Sequence, residues 1–296
     1  MLCLRPFAFA GFVSGPPLNH VDFVSPREAV EQLMRRTPGF WERMGPVNLA
    51  VRLLDVGRST TADRQDPDAL KLRYARQYAA SLTAVPEEHR ERIGRIVADL
   101  RRGLRSSGTS NTLGFDAETA AAMASMARDA VRRLRIVCST GRGAEHGYAH
   151  TVGDVIVLPS TSLDRDLKTD ADLGRLILHE AMHVFQRASW QRADAFVRSA
   201  YGFVTVERQT LKSSGDGEER ANPDTAFVQH EYGLPFETKI LRARPVFVPG
   251  AATLADIRLL PDAGYRPAFP WARNHEHPYE IMAEHAAATL DIGKTT

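Results

Sequence analysis

The chain has 296 residues, 43% apolar and 25% charged, which is the balance of an ordinary globular protein with enough apolar side chains for a sizeable core. Its 38 basic and 36 acidic residues leave a formal net charge of +2, so there is no electrostatic basis for a nucleic-acid partner. Two cysteines, Cys3 and Cys138, exclude a disulfide framework, and no apolar run approaches the roughly 20 residues that span a bilayer.

Met1 to Val13 carries a short apolar stretch that Arg5-Pro6 interrupts, and it reads as a buried N-terminal segment rather than a signal peptide. Localisation stays open between cytoplasmic and secreted without a clear signal peptide. Ser25-Pro26-Arg27-Glu28 combines an N-cap, a proline at the first helical position and a carboxylate three residues on, which predicts a helix to about Arg36. A second helix is predicted over residues 67–84. A third follows Pro86, with Ile93, Ile96, Val97, Leu100 and Leu104 at helical spacing. The small polar residues of 105–111 mark a linker, so a mainly helical N-terminal region over 1–110 precedes a second region over 111–296. An alanine-rich helix opened by Asp116 is predicted over 115–134. Arg101-Arg102 and Arg132-Arg133 flank helical segments and read as solvated faces.

The pattern changes after 134. Arg135-Ile136-Val137-Cys138 is a strand candidate, Gly141-Arg142-Gly143 a turn, and Asp154-Val155-Ile156-Val157-Leu158 a β-rich run. Helix then returns. Thr169 and Asp172 have capping-box spacing, with Asp in place of the usual Glu or Gln, ahead of Leu176-Ile177-Leu178-His179-Glu180-Ala181-Met182-His183-Val184-Phe185-Gln186. Residues 205–225 are polar and read as a mobile surface loop bordering a cleft, and the prolines of 235–270 argue for short extended pieces. Pro278 suits the first position of a last helix running to about Leu290. Together these predict an α+β fold in which a small mixed sheet packs on the helix carrying His179.

His179-Glu180-Ala181-Met182-His183 is an HExxH motif. Residues four apart in a helix lie on one face, so two imidazoles can grip one zinc ion and the intervening Glu180 can reach a water on it. A catalytic zinc needs a third protein ligand. A histidine six residues after His183 would serve, but that position is Ser189. The segment Asn274 to His285 holds the better candidates. Glu280 and Glu284 lie four apart, one placed to bind metal and the other to accept an N–H from a ligating histidine. Glu280 is the leading choice for the metal, with Glu284, His275, His277 and Glu231 as alternatives.

These residues resemble the gluzincin group of zinc metallopeptidases, His179, Glu180 and His183 matching its first motif and Glu280 and Glu284 its second. The likeness extends to zincin-like domains with a glutamine three residues past the second histidine, here Gln186, and a glycine-containing strand before the helix. It covers about residues 135–290 and implies a zincin-like fold, a Zn2+ cofactor and a peptide or protein substrate. It also implies zinc-bound water as nucleophile and Glu180 as general base, taking a proton and later delivering it to the leaving amine. A further oxyanion donor is needed, and Tyr279, His230 and Tyr232 are its candidates, followed by His275 and His277. In zincins a strand beside this helix pairs with the substrate, a role that falls to residues 148–158 by order along the chain. Two other functions fit the same motif, a non-catalytic zincin-like binding module and a secreted effector or toxin with a structural zinc.

Overall fold

The computed structural model describes residues 21–35, 40–54, 67–106, 113–141, 143–166, 169–207, 218–228, 230–260 and 264–289. The expectations for residues 1–13, for most of the linker and for the polar run 212–217 lie outside them. In chain order the elements are β1 (Asp22–Phe23), α1 (Pro26–Met34), α2 (Phe40–Arg43), α3 (Pro46–Leu54), α4 (Pro67–Ser81), β2 (Leu82–Thr83), α5 (Glu87–Ser106) and α6 (Ala117–Ala130). There follow β3 (Arg135–Ser139), β4 (His150–Val152), β5 (Val155–Pro159), α7 (Asp170–Ala188), α8 (Trp190–Tyr201), β6 (Val204–Val206), β7 (Glu231–Phe236), β8 (Lys239–Leu241), β9 (Pro245–Phe247), β10 (Ile257–Leu259) and α9 (Pro278–Ala288).

Helix starts follow local chemistry. Ser25 and Glu28 form the reciprocal capping box, and the Asp116 side chain accepts from Thr119 N. At α7 the Thr169 hydroxyl accepts from Asp172 N, while the Asp172 carboxylate takes the Thr169 hydroxyl rather than a backbone amide. One boundary differs from expectation. α4 stops at Ser81 because Leu82 and Thr83 pair antiparallel with Ser139 and Cys138, so sheet pairing overrides a helix-compatible sequence.

The main sheet runs β1-β3-β5-β4, with β2 also on β3; β1, β3 and β5 are parallel and β4 is antiparallel. Its central strands are buried on both faces, as expected for parallel strands covered on each side. Ile136, Cys138, Ile156 and Leu158 enter a core with α5 to α9, and Val137, Val155 and Val157 enter a second core with α1 to α4. The sheet and the larger core therefore draw on residues from both sides of 110. Two small antiparallel sheets, β6-β7-β8 and β9-β10, lie after α8. The class is α+β, helices with small sheets, and no described helix is long and apolar enough to cross a membrane.

Candidate metal centre

His179, Glu180 and His183 sit about two and a half to three and a half turns into α7, with the apolar Leu173, Ile177, Leu178, Ala181 and Met182 of the same helix fully buried. α9 packs along α7 and carries Glu280 against them. The small Ala283 and Ala286, both fully buried, let the two helices approach closely. The Nε2 atoms of His179 and His183 lie 3.1 Å apart, and Glu280 Oε2 is 3.5 and 3.4 Å from them. Three ligands at tetrahedral bond lengths of about 2.0–2.1 Å stand about 3.3–3.4 Å from one another. The residues present therefore fit a zinc ion.

The surroundings hold these atoms in place. Gln186 donates its amide N–H to the Tyr279 carbonyl oxygen (2.8 Å), so its Oε1 faces His183 Nδ1 at 2.9 Å. An acceptor there assigns the proton to Nδ1 and leaves the Nε2 lone pair turned toward Glu280. On the other side Asn222 Nδ2 donates to Glu280 Oε1 (2.8 Å), leaving Oε2 for the imidazoles. The Glu180 carboxylate is buried, and its Oε2 has no hydrogen-bond partner among the described residues.

The charges are uneven. Glu180, Asp224 and Glu280 are buried carboxylates, and an oxygen of Asp224 lies within 4.8 Å of ligand atoms of Glu180 and His183. Burial together with Asp224 and Glu280 raises the Glu180 pKa well above the usual carboxylate value, only partly opposed by His183 and Arg187. Glu280 moves the other way: burial works against its charge, but the two imidazoles outweigh it. In the metal-free chain burial also disfavours a charged His183, yet Glu280 and Asp224 win and push it up to about 10. Three buried carboxylates thus stand close to His183 in this region of the fold.

The centre opens into a cleft of about 320 Å³ whose walls include Tyr148, His150, Arg220, Asn222, Asp224, Leu254 and Ile257. Arg52 is the contribution of the first 110 residues to this wall among the described residues. It is held bidentate by Glu145 at 2.9 and 3.0 Å.

Several expected partners lie elsewhere. Tyr279 reaches the centre through its backbone carbonyl; its phenol oxygen stands 3.4 Å from that of Tyr232 and does not line the cleft. His230 stands 3.5 Å from Asp194 and, with Tyr232 and His277, lines a small neighbouring cavity that none of the three shares with the cleft. Tyr232 donates to Asp194, His275 is pinned to the Phe269 carbonyl oxygen, His277 caps α9, and Glu231 pairs with Arg244. The Glu284 carboxylate accepts the backbone amides of Arg273 and Asn274, not a histidine N–H. It shares a helix face with Glu280, but one turn further along α9 the neighbour is that loop.

Three residues near the centre were not anticipated. Asn222 and Asp224 come from the stretch read as a mobile loop bordering the cleft; residues 220–224 do line it, but the described residues 218–225 are buried or half-buried. Asp224 Oδ1 accepts the Thr151 amide at 2.8 Å and its hydroxyl at 2.5 Å. Arg187, one turn beyond His183, bonds the Gly153 carbonyl and the Thr151 hydroxyl and so ties α7 to the β4–β5 turn. The polar Asn222-Pro223-Asp224 could have been singled out as turn chemistry, but nothing local marks it as lying over a helix some forty residues earlier. No family model, curated protein or solved structure matches the chain.

Proposed function

We propose that the chain is a zinc-dependent peptidase with a zincin-like, gluzincin-type site, His179, His183 and Glu280 holding the metal. The observation that supports this most is the set of 3.1–3.5 Å separations among three ligand atoms, with Glu180 beside them in the cleft and its Oε2 without a hydrogen-bond partner among the described residues. A zinc ion there supplies Lewis acidity toward a scissile carbonyl and lowers the pKa of water toward neutrality.

The rest of the work falls to the protein. Glu180 Oε2 takes the proton from the attacking water and later passes it to the leaving amine. In the metal-free chain, burial and the neighbouring carboxylates raise its proton affinity. Gln186 fixes the His183 tautomer, and Asn222 turns Glu280 toward the histidines. Asp224 anchors the wall of the cleft to β4 and adds negative charge beside Glu180.

Metal analysis of the purified protein is expected to find one zinc per chain, lost in His183→Ala. Glu180→Gln is expected to keep the zinc and lose hydrolysis of a peptide pool, because an amide cannot accept the proton. A wild-type protein without zinc overturns the ligand set, and a fully active Glu180→Gln overturns the base. A role for the metal as a structural staple in a non-catalytic module predicts instead that Glu180→Gln leaves every measured property unchanged.

A further inference from the structure

Two strand edges border the cleft, and they differ in what they leave open. On β4 the central residue, Thr151, turns its amide away from β5 and donates it to Asp224 Oδ1 (2.8 Å), a side chain that is itself buried. That edge of the main sheet is already occupied at Thr151, so the pairing role expected for residues 148–158 has no free amide there.

β10 is different. Leu260 and Arg244 exchange both backbone bonds (2.9 and 3.2 Å), and Val248 N donates to Asp256 O (3.0 Å). In an antiparallel ladder bonded and non-bonded pairs alternate. With Ile257 opposite Phe247 and Leu259 opposite Pro245, positions 257 and 259 therefore face away from β9. The same parity appears on the far edge of β9, where Phe247 N donates to Glu218 O and Pro245 O accepts from Arg220 N. Ile257 N folds back to Ala255 O. The Ile257 carbonyl and both backbone groups of Leu259 face outward without a partner among the described residues.

Ile257 lines the metal cleft and Leu259 the depression beside it. Ile257, Asn274 and Glu276 line both the metal cleft and an adjoining depression of about 530 Å³, which Leu259, Arg266 and Arg273 complete. The two hollows adjoin at these three shared residues, and together they are termed the groove. The guanidinium groups of Arg266 and Arg273 are exposed and make no ion pair among the described residues, whereas Glu276 is already held by Arg220. The groove is thus acidic at the metal end and basic at the far end.

We infer that β10 is the strand on which an extended peptide pairs, and that an acidic side chain of this peptide reaches Arg266 and Arg273. Backbone groups of Ile257 and Leu259 hold the main chain, and the two arginines select charge. The inference rests on the peptidase reading for the fate of the peptide at the metal end, but the pairing does not require hydrolysis.

The test uses zinc-loaded Glu180→Gln protein, an equimolar random decapeptide pool, and sequencing of the retained peptides by mass spectrometry. Wild-type cleavage of the same pool is read in parallel. Asp and Glu are expected to be enriched roughly fivefold at one position, the size of an exposed ion pair. Arg266→Glu/Arg273→Glu is expected to switch that preference to Lys and Arg with zinc content unchanged. Leu259→Pro removes one outward amide and spares the β9–β10 bonds, so retention should fall roughly tenfold. Leu259→Ala, which keeps the amide, should retain the pool. A selected peptide N-methylated at the pairing position should lose the same factor against unaltered protein, which keeps the test sound if Leu259→Pro misfolds. Absence of an acidic preference, or its survival in the double charge reversal, overturns the inference. Cleavage without acidic bias sinks this inference and spares the peptidase reading; retention of acidic peptides without cleavage does the reverse.

Discussion

At the scale of single residues, the centre depends as much on the groups behind the ligands as on the ligands. Gln186 satisfies two demands at once, the Tyr279 carbonyl and the His183 Nδ1–H, and both are buried. Gln186→Leu keeps the volume but removes both bonds, so zinc affinity is expected to fall by about 10- to 100-fold. Competition with a chromophoric chelator measures this, and an unchanged affinity would show that packing alone orients the imidazole. His179, Glu180 and His183 were legible because their relation is local: helical periodicity alone puts both histidines on one face. Glu280 was legible as one of several candidates, since Pro278 set the phase of its helix. Asn222 and Asp224 were not legible, because a loop residue's neighbours across the fold leave no trace in its own segment. The phenol of Tyr279 points at Tyr232 for a similar reason: the side of α9 that meets α7 is settled by packing.

At the scale of elements, α3 and α4 are fastened to the β3–β4 connection by buried charge. Arg52 on α3 bonds Glu145 through two nitrogens and also reaches the Ala221 carbonyl, while Tyr74 of α4 donates to the same carboxylate. The backbone at Glu145 and His146 is left-handed, a conformation that costs energy for non-glycine residues and needs such support. Arg52→Met strands the Glu145 carboxylate and is expected to cost about 3–5 kcal/mol in urea unfolding. The double variant Arg52→Met/Glu145→Gln should recover much of that loss; equal destabilisation of both would assign the effect to packing instead. Thr169→Ala removes only the α7 cap and is expected to cost about 1 kcal/mol with zinc content unchanged. Caps of this kind were readable because donor and acceptor lie three residues apart. The end of α4 was not, since the partner that turns Leu82 and Thr83 into a strand lies more than fifty residues further on.

For the whole molecule, buried histidines set how stability varies with pH. Burial holds His277 down to about 3 and His285 to about 4, against the ordinary 6.5. The unfolded chain takes up these protons first, so their contribution is complete above about 6.5 and is lost as pH falls toward 4 and 3, by about 1.4 kcal/mol per pH unit for each group. Glu145 adds to the acid limb. Burial opposes its charge, but Arg52 holds it down to about 2, so its contribution is complete above about 4.5 and lost as pH falls through 2. His183 acts oppositely in the metal-free chain: its contribution is complete below 6.5 and lost as pH rises through about 10. Urea midpoints of metal-free protein are therefore expected to peak near pH 6.5 and fall on both sides, and zinc, which needs the unprotonated imidazole, should remove the alkaline decline. A metal-free protein that grows steadily more stable from pH 6.5 to 9 would contradict the placement of His183 among carboxylates. The sequence by itself determined the α+β class, most helix starts and the two histidines with Glu180, because these rest on spacings within one turn or one strand. Only the tertiary structure decided which glutamate of α9 faces the histidines, that the Asn222–Asp224 loop closes the β4 edge, and that β10 stays open. Each of these is a contact between segments far apart in the chain, fixed by how two cores pack against the faces of one sheet.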